Sequence, residues 1–507
     1  MPRSASRWPD ESRAAATGPR RNARAVARPA VADDLELAVV YRAMAAGDPF
    51  LHDVAQRLVP LGCPDIGYRH DVLADCLHHP DAVRSLYDIA VTGCSTRPQS
   101  SYGGLTFGDP AAILRWSLDR IELLVAQLRT LRTAAIDSAK VVESAGFRRL
   151  FAMIIGQLDE PYLSRIDADI AELRFGDGIT MSAVLGCGDI GADYRLHPTP
   201  AHHGHHRRTG FGGSGIGFRV PESDDAGFRA LGRLTGRAIG DIADIMSQAA
   251  DDIEHLFIQL RTELGFYIGC LNLHDRLTDA GLPVCRPEPW EGTTGFTCRG
   301  LRDIGLCLTA ATPVVGNDID ARDISLTLIT GANAGGKSTF LRGVGTARVM
   351  MAAGMFVVAE SFGAARRDAV FTHFAREEND TLTRGKLDEE LARMRDIVDR
   401  ITPHSLLLCN ESFAATNERE GTQIAEQVLD ALGEAGVEII FVTHLYELAH
   451  RRYRRRHAGD LFLSAQRTSD GTRTYRLAPA EPEPTSHGRD SYRRIFGPPH
   501  QEIGGRV

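Results

Sequence analysis

LTLITGANAGGKSTFL, residues 326–341, decides the fold. An apolar β-type run meets Gly331-x-x-x-x-Gly336-Lys337-Ser338, and a helix-compatible run follows; this is the strand, loop and helix order of a phosphate-binding loop. Glycine at 331, 335 and 336 lets the backbone curl tightly and turn successive N–H groups toward phosphate oxygens. Lys337 is then placed to reach the β- and γ-phosphates. Ser338 is placed to set its hydroxyl on Mg²⁺, and the helix N-terminus adds a favourable dipole for the anion. A plain glycine-rich turn is the competing explanation, but it does not require all three fixed positions to be filled between apolar runs. The expectation is therefore a nucleoside triphosphate site.

Downstream, SLLLCNES at 405–412 is a second apolar strand ending in Asn410-Glu411, where nucleotide-binding strands usually present Asp-Glu. In that geometry the first residue supports Mg²⁺ and the glutamate orients or activates the attacking water. Asn410 keeps an oxygen for the metal but loses the charge, which bears on both Mg²⁺ affinity and turnover. A third apolar strand, EIIFVTH at 438–444, brings His444 to the same edge, where a ring nitrogen could sense the γ-phosphate. Taken alone, His444 also fits a structural histidine, and Asn-Glu also fits a simple strand end. Between these strands Leu387, Leu391, Met394, Val398 and Ile401 share one helical face, and Ile424, Val428 and Leu432 another; both are expected to cover a sheet. Arginines at 366, 367, 451, 452 and 454–456 are expected on solvated surface, with a phosphate or interface role as the alternative.

Upstream the periodicity is helical from about Asp33 to Thr92. A loop is expected at 95–108, a long amphipathic helix from Pro110 to about Gly146, and another over Arg148 to Phe175. ITMSAVLG then reads as a strand, and a polar run follows with His197, His202, His203, His205 and His206. No carboxylate or cysteine accompanies those histidines at ligand spacing, so a flexible loop is favoured over a metal site. From Ala226 to Gly281 a near-heptad spacing through Leu231, Leu234, Ile245, Leu256, Leu260 and Leu264 implies one helix of roughly 75 Å, a lever rather than a core element.

The chain has 507 residues, room for two to four domains, with 43% apolar and 24% charged residues. Its net charge of −8 supplies no global attraction to nucleic acid, so any DNA contact must be local. Nine cysteines lack CxxC spacing, which argues against a zinc site or disulfide framework and fits a reducing, cytoplasmic compartment. The longest apolar stretch, Val349 to Ala359, is too short to span a bilayer. Residues 1–30 carry seven arginines and no apolar segment; a disordered basic tail is expected, rather than a secretory signal or an organelle transit peptide.

TGANAGGKSTFLR, DAVFTHFAREEND, LLLCNESFAATNEREG and FVTHLYEL together resemble, in order and spacing, the nucleotide-binding domain of the MutS family of DNA mismatch-repair ATPases. VVGNDI and FYIGCLNLHDRLTDAGLPVCRPE resemble that family's junction between lever and ATPase. The resemblance runs over roughly Asp33 to Gly497. It implies an ABC-type ATPase that dimerises with nucleotide near the subunit boundary, and helical levers that clamp around double-stranded DNA. By position it implies that Asn333, Gly336, Lys337, Ser338 and Thr339 hold phosphates and Mg²⁺. It also implies metal support by Asn410, catalysis by Glu411, a switch at His444, and Asn317 near the adenine. Three departures stand out. No Phe-x-Glu wedge for a mispaired base occurs before residue 150, GKLDEELARM stands where the family carries a serine signature, and no appended nuclease domain is expected after TSHGRDSYRRIFG.

The sequence thus implies a multidomain protein of α plus α/β class. A basic tail (1–32) precedes a helical core and lever domain (33–285), a C-terminal ABC-like P-loop ATPase domain (286–497) and a short tail (498–507). The expected ligands are ATP and Mg²⁺, the expected assembly a homodimer that opens and closes on DNA, with no membrane contact. A nucleotide-gated interaction protein that touches no DNA is the alternative, and a transporter ATPase is disfavoured by the missing LSGGQ-type signature.

Overall fold

The computed structural model describes residues 29–96, 109–176, 178–187, 191–197, 220–221, 224–292, 294–376, 385–468 and 472–483. The N-terminal tail, the histidines at 202, 203, 205 and 206, and the C-terminal tail lie outside them. The fold is mixed helical and α/β, and its contacts divide it into two compact units, 1–78 with 266–507 and 79–265.

The chain opens with helices α1 (Pro29–Asp34), α2 (Leu37–Ala45), α3 (Pro49–Leu58) and α4 (Ile66–His78). Asp48 caps α3 by accepting from the Phe50 N–H at 2.8 Å, with Pro49 at the first helical position. These helices belong to the same unit as residues 266–507. Thr372 donates to Asp34 at 2.6 Å, Arg69 donates to the Ala353 carbonyl at 3.1 Å, and the His70 ring meets the Met355 carbonyl at 3.2 Å.

The second unit holds α5 (Pro80–Ser95), α6 (Pro110–Ser138), α7 (Ala145–Gln157), α8 (Glu160–Leu173) and an antiparallel hairpin, β1 (Thr180–Leu185) with β2 (Gly191–His197). Helix α6 stops at Ser138 rather than near Gly146, because Ser144 caps a new helix by accepting from the Phe147 N–H. Likewise the expected helix over 148–175 is two, since Asp159 caps α8 and Pro161 cannot continue α7. Helix α9 (Asp225–Asp279) runs for 55 residues, and the division between the units falls within it. In the second unit its buried seam is Ala243, Ala250 and Phe257 with Leu264, at heptad steps, whereas Leu231, Leu234 and Ile245 are exposed. Arg120 of α6 is buried and pairs with Asp251 and Glu254 of α9.

In the first unit follow β3 (Glu288–Trp290), β4 (Gly295–Leu301), α10 (Ile304–Thr309), β5 (Asn317–Arg322), β6 (Leu326–Thr330), α11 (Lys337–Ala352), β7 (Ser361–Ala365), β8 (Val370–Phe374), α12 (Lys386–Val398) and β9 (Leu406–Asn410). Then come α13 (Glu418–Glu434), β10 (Glu438–Val442), α14 (Tyr446–Arg455), β11 (Asp460–Arg467) and β12 (Arg473–Pro479). A four-stranded sheet has the order β3-β7-β4-β5, and a six-stranded sheet the order β12-β11-β6-β10-β9-β8, parallel except for β12. All five residues of β6 and of β10 are buried, as continuous apolar runs in a parallel sheet covered on both faces require.

Helices α12, α13 and α14 cover one face of the large sheet with Met394, Ile397, Leu429, Leu432 and Leu448 over Leu328, Leu407 and Phe441. Leu391 and Val398, expected in that stripe, are instead exposed, since the buried face of α12 runs through Glu390, Met394 and Ile397. On the other face α11 approaches so closely that a methyl group at Gly345 would overlap Leu408 and Leu35. The two sheets are tied by a buried ion cluster in which Glu438 of β10 pairs with both Arg348 and Arg367. Arg348 also donates to the Gly295 and Ala365 carbonyls of the smaller sheet. Arg367 and Arg452 are therefore interior ion-pair members rather than solvated surface: Arg452 bridges Asp430 and Asp460.

Candidate functional site

The site lies at the carboxyl edge of β6, β10 and β9, where open α/β sheets bind ligands. The strand ends are knitted together: Thr443 N–H donates to the Ile329 carbonyl at 3.0 Å, Glu411 N–H to the Val442 carbonyl at 2.9 Å, and Ala375 N–H to the Asn410 carbonyl at 2.9 Å. Residues separated by many positions in the sequence thereby share one rim.

From β6 the chain turns through the loop with Gly331 at φ 110° and Gly336 at φ 94°, values that glycine adopts without steric cost. At Gly335 a Cβ would lie 2.8 Å from the Ala465 side chain and 2.9 Å from the Ala332 carbonyl oxygen, so the loop packs against β11 only because no side chain intervenes. Lys337 is buried and its Nζ donates to the carbonyls of Gly331 at 2.8 Å and Ala332 at 3.1 Å, closing the loop on itself. Burial lowers the Lys337 pKa, and the Glu411 carboxylate opposes that shift. Asn333 stands exposed at the loop crown.

Opposite the loop, Ser338 Oγ donates to Asn410 Oδ1 at 2.8 Å. Beside it Glu411 sits at φ 55°, in the left-handed region, a strain of about 1–3 kcal/mol that persists only where surroundings over-determine it. His444 Nε2 lies 3.0 Å from Glu411 Oε1, and Glu411 Oε2 is buried without a hydrogen-bond partner among the described residues. The sequence-derived set Lys337, Ser338, Asn410, Glu411 and His444 is thus brought to one edge.

Ser338 Oγ and Asn410 Oδ1 are hard oxygen donors of the kind that Mg²⁺ accepts. Among the described residues no group of three or more His, Cys, Asp or Glu could hold a metal alone. The residues therefore fit a cation whose remaining ligands are phosphate oxygens and water, the usual arrangement for Mg²⁺ at a nucleotide. The curled loop fits a polyphosphate, and the partnerless Glu411 Oε2 is free to accept a proton or hydrogen bond from water.

A cavity of about 430 Å³ adjoins the loop, lined among others by Pro313, Val315, Asn317, Gly336, Thr339 and Tyr475. It is large enough, and apolar enough on its Pro-Val side, for a flat heterocycle. Asn317 lines it from a fixed position: its amide donates to the Tyr475 carbonyl at 3.3 Å and its oxygen accepts from the Leu477 N–H at 2.7 Å. Tyr475, at φ 56°, was not expected at the site; nothing in RTYRLAP marks it, since its place comes from the pairing of β12 with β11.

Comparison with known proteins agrees with the fold. The MutS2 N-terminal domain matches residues 63–280, and MutS domain V, a P-loop ATPase domain, matches residues 327–495. The chain is 31% identical over 159 residues to the mitochondrial DNA mismatch repair protein MSH1 of Arabidopsis thaliana, covering 31% of this chain and 14% of that protein. It is 35% identical over 121 residues to Endonuclease MutS2 of Thermus thermophilus, covering 24% and 16%. To the DNA mismatch repair protein MutS of Streptococcus pneumoniae it is 26% identical over 243 residues, covering 45% and 28%. The aligned region is thus less than a third of each of these relatives. With the two domain matches in sequence order and the phosphate-binding loop, Asn410-Glu411 and His444 at one sheet edge, the chain belongs to the MutS family.

Proposed function

We propose that the chain is a Mg²⁺-dependent ATPase whose nucleotide state opens and closes a dimeric clamp of long helices on double-stranded DNA, in mismatch repair or related DNA metabolism. The observation that carries the reading is the convergence of Ser338 with Asn410 at 2.8 Å and of Glu411 with His444 at 3.0 Å beside a curled Gly331–Lys337 loop. In this reading main-chain amides of the loop and Lys337 bind the triphosphate, and Asn317 and Val315 flank the base. Ser338 and Asn410 would hold Mg²⁺, which when bound would neutralise charge on the phosphates. Glu411, oriented by His444, takes a proton from the attacking water. Asn410 makes turnover slow, because a neutral amide attracts Mg²⁺ less than a carboxylate does.

Conformational coupling requires that ATP and ADP contact the two clamp states differently, and the strained Glu411 segment is the element best placed to register the γ-phosphate. The test is ATP binding and hydrolysis by the purified chain and by Lys337→Ala, with and without homoduplex, mismatched and branched DNA. Retained ATP binding in Lys337→Ala, or no hydrolysis by the wild-type chain under any of these conditions, contradicts the proposal.

The second reading, a nucleotide-gated protein-interaction switch that leaves DNA alone, is favoured by the net charge of −8 and by Asn410. A salt titration separates the two, since clamping on DNA predicts affinity that falls steeply with salt as phosphate contacts release counterions. No helix among the described residues is long and apolar enough to cross a membrane.

A further inference from the structure

Glu411 is one of two non-glycine residues in the left-handed region within three positions: Phe413 follows at φ 63°. A segment bent twice in this way stays bent only if its neighbours hold it. Those neighbours are identifiable. Ser412, between the two bends, is fully buried, and its Oγ lies 2.7 Å from His373 Nδ1 and 2.9 Å from the His373 carbonyl. The His373 ring stacks on Phe413 with centroids 5.6 Å apart. On its far side His373 Nε2 lies 3.0 Å from the Glu390 carbonyl of α12, and the Glu390 carboxylate faces the main-chain amides of Phe413 and Ala415.

The hydrogen-bond chemistry fixes the direction of this chain. A carbonyl only accepts, so in the neutral ring Nε2 carries the proton toward Glu390 and Nδ1 is an acceptor, and the single Ser412 hydroxyl proton is shared between Nδ1 and the His373 carbonyl. Burial holds His373 down to about 4, which keeps the ring neutral near pH 7. Every contact is inside the protein, so the arrangement links α12 to the segment after β9 without any surface group.

We propose that His373 and Ser412 are positioning residues for the ATPase reaction: they hold the bent 411–413 segment so that Glu411 meets the attacking water, and they tie its placement to helix α12. This inference rests on the ATPase reading above. The lysine, serine and loop amides that bind nucleotide are not part of the relay. Disrupting it therefore lowers turnover and leaves nucleotide affinity in place.

The experiment compares ATP hydrolysis and binding of a fluorescent ATP analogue for the full wild-type chain, Ser412→Ala, His373→Gln and the double variant. The expected result is kcat lowered at least tenfold in each single variant, analogue Kd within twofold of wild type, and a double variant no slower than the worse single, because both substitutions break one relay. Kcat within twofold of wild type in Ser412→Ala, or kcat and binding lost together, overturns the proposal. Should His373→Gln unfold, Ser412→Ala decides alone, as it removes one hydroxyl; unfolding of both overturns it by making the cluster purely structural. Absence of hydrolysis in the wild-type chain overturns the ATPase reading and this inference with it, whereas normal wild-type turnover that the variants share overturns this inference alone.

Discussion

Ser338 Oγ and Asn410 Oδ1 lie 2.8 Å apart, a neutral hydroxyl–amide hydrogen bond where the usual nucleotide site pairs a hydroxyl with a carboxylate. The bond keeps the geometry of a Mg²⁺ site and removes one negative charge from it. Asn410→Asp restores that charge with hardly any change in shape. It is expected to lower the Mg²⁺ concentration for half-maximal ATPase activity by about tenfold, or about 1.4 kcal/mol, and to raise kcat. A Mg²⁺ titration of turnover checks this; an unchanged or higher midpoint contradicts it.

Glu438 sits between the Arg348 and Arg367 guanidinium groups with all three side chains buried. Removing its charge leaves two cations in the interior, a change that typically costs about 3–5 kcal/mol. Glu438→Gln is therefore expected to shift the urea midpoint of the nucleotide-binding unit strongly downward. Arg451→Ala, which breaks only an exposed pair with Glu447, is expected to cost about 0.5 kcal/mol or less. Equal shifts for the two variants would contradict the burial argument.

Gly93 of α5 lies flat against the fully buried Phe257 ring of α9, and a methyl group there would overlap the ring. Gly93→Ala gains helix propensity and would stabilise an exposed position. Here overpacking is expected to dominate and to destabilise the helical unit by about 1–3 kcal/mol. Chemical denaturation followed by circular dichroism reads the sign, and a stabilised variant means that α5 and α9 can move apart freely.

His373 titrates at about 4 in the folded chain because burial, then the nearby Arg393, disfavour its charge; the ordinary value is 6.5. Between those values the folded chain binds fewer protons than the unfolded one, so this group's contribution to stability is lost as pH falls from about 6.5 toward about 4. The full loss is on the order of 3 kcal/mol. Asp34 and Glu390, carboxyls raised by burial, act in the opposite sense. The difference between wild type and His373→Gln therefore isolates the histidine. That difference is expected to slope across this window and to be flat above pH 7; parallel curves throughout would contradict it.

The phosphate-binding loop, the two strands ending at Asn410 and Val442, and the long helix were all legible in the sequence, because each writes its physics locally. Glycine spacing sets the loop, continuous apolar runs set buried parallel strands, and sustained helical periodicity sets the extent of α9. The seam of α9 nevertheless runs through Ala243, Ala250 and Phe257 rather than through Leu231, Leu234 and Ile245. What was not legible depends on contacts distant in sequence. Nothing near Asp34, Arg69 or His70 reveals that the first helices pack beside Thr372, Ala353 and Met355, hundreds of positions away in the sequence. The phase of α12 was misread for a related reason: its buried face runs through Met394, Ile397 and Glu390, a charged residue that the apolar pattern passes over, and Leu391 and Val398 lie outward. His373 looked like any residue of FTHF, although a polar side chain inside an apolar run, whether His373 in strand β8 or Arg348 in helix α11, is itself a signal that a buried partner exists.

The central claim is that residues 331–338 cradle a nucleoside triphosphate and that Glu411 acts on it. Single-turnover hydrolysis of radiolabelled ATP by the wild-type chain, Lys337→Ala and Glu411→Gln, each paired with a direct measurement of bound nucleotide, tests it most directly. The account predicts phosphate release by the wild type, no binding by Lys337→Ala, and tight binding without hydrolysis by Glu411→Gln. Wild-type levels of hydrolysis in Glu411→Gln, or undiminished ATP binding in Lys337→Ala, would contradict it.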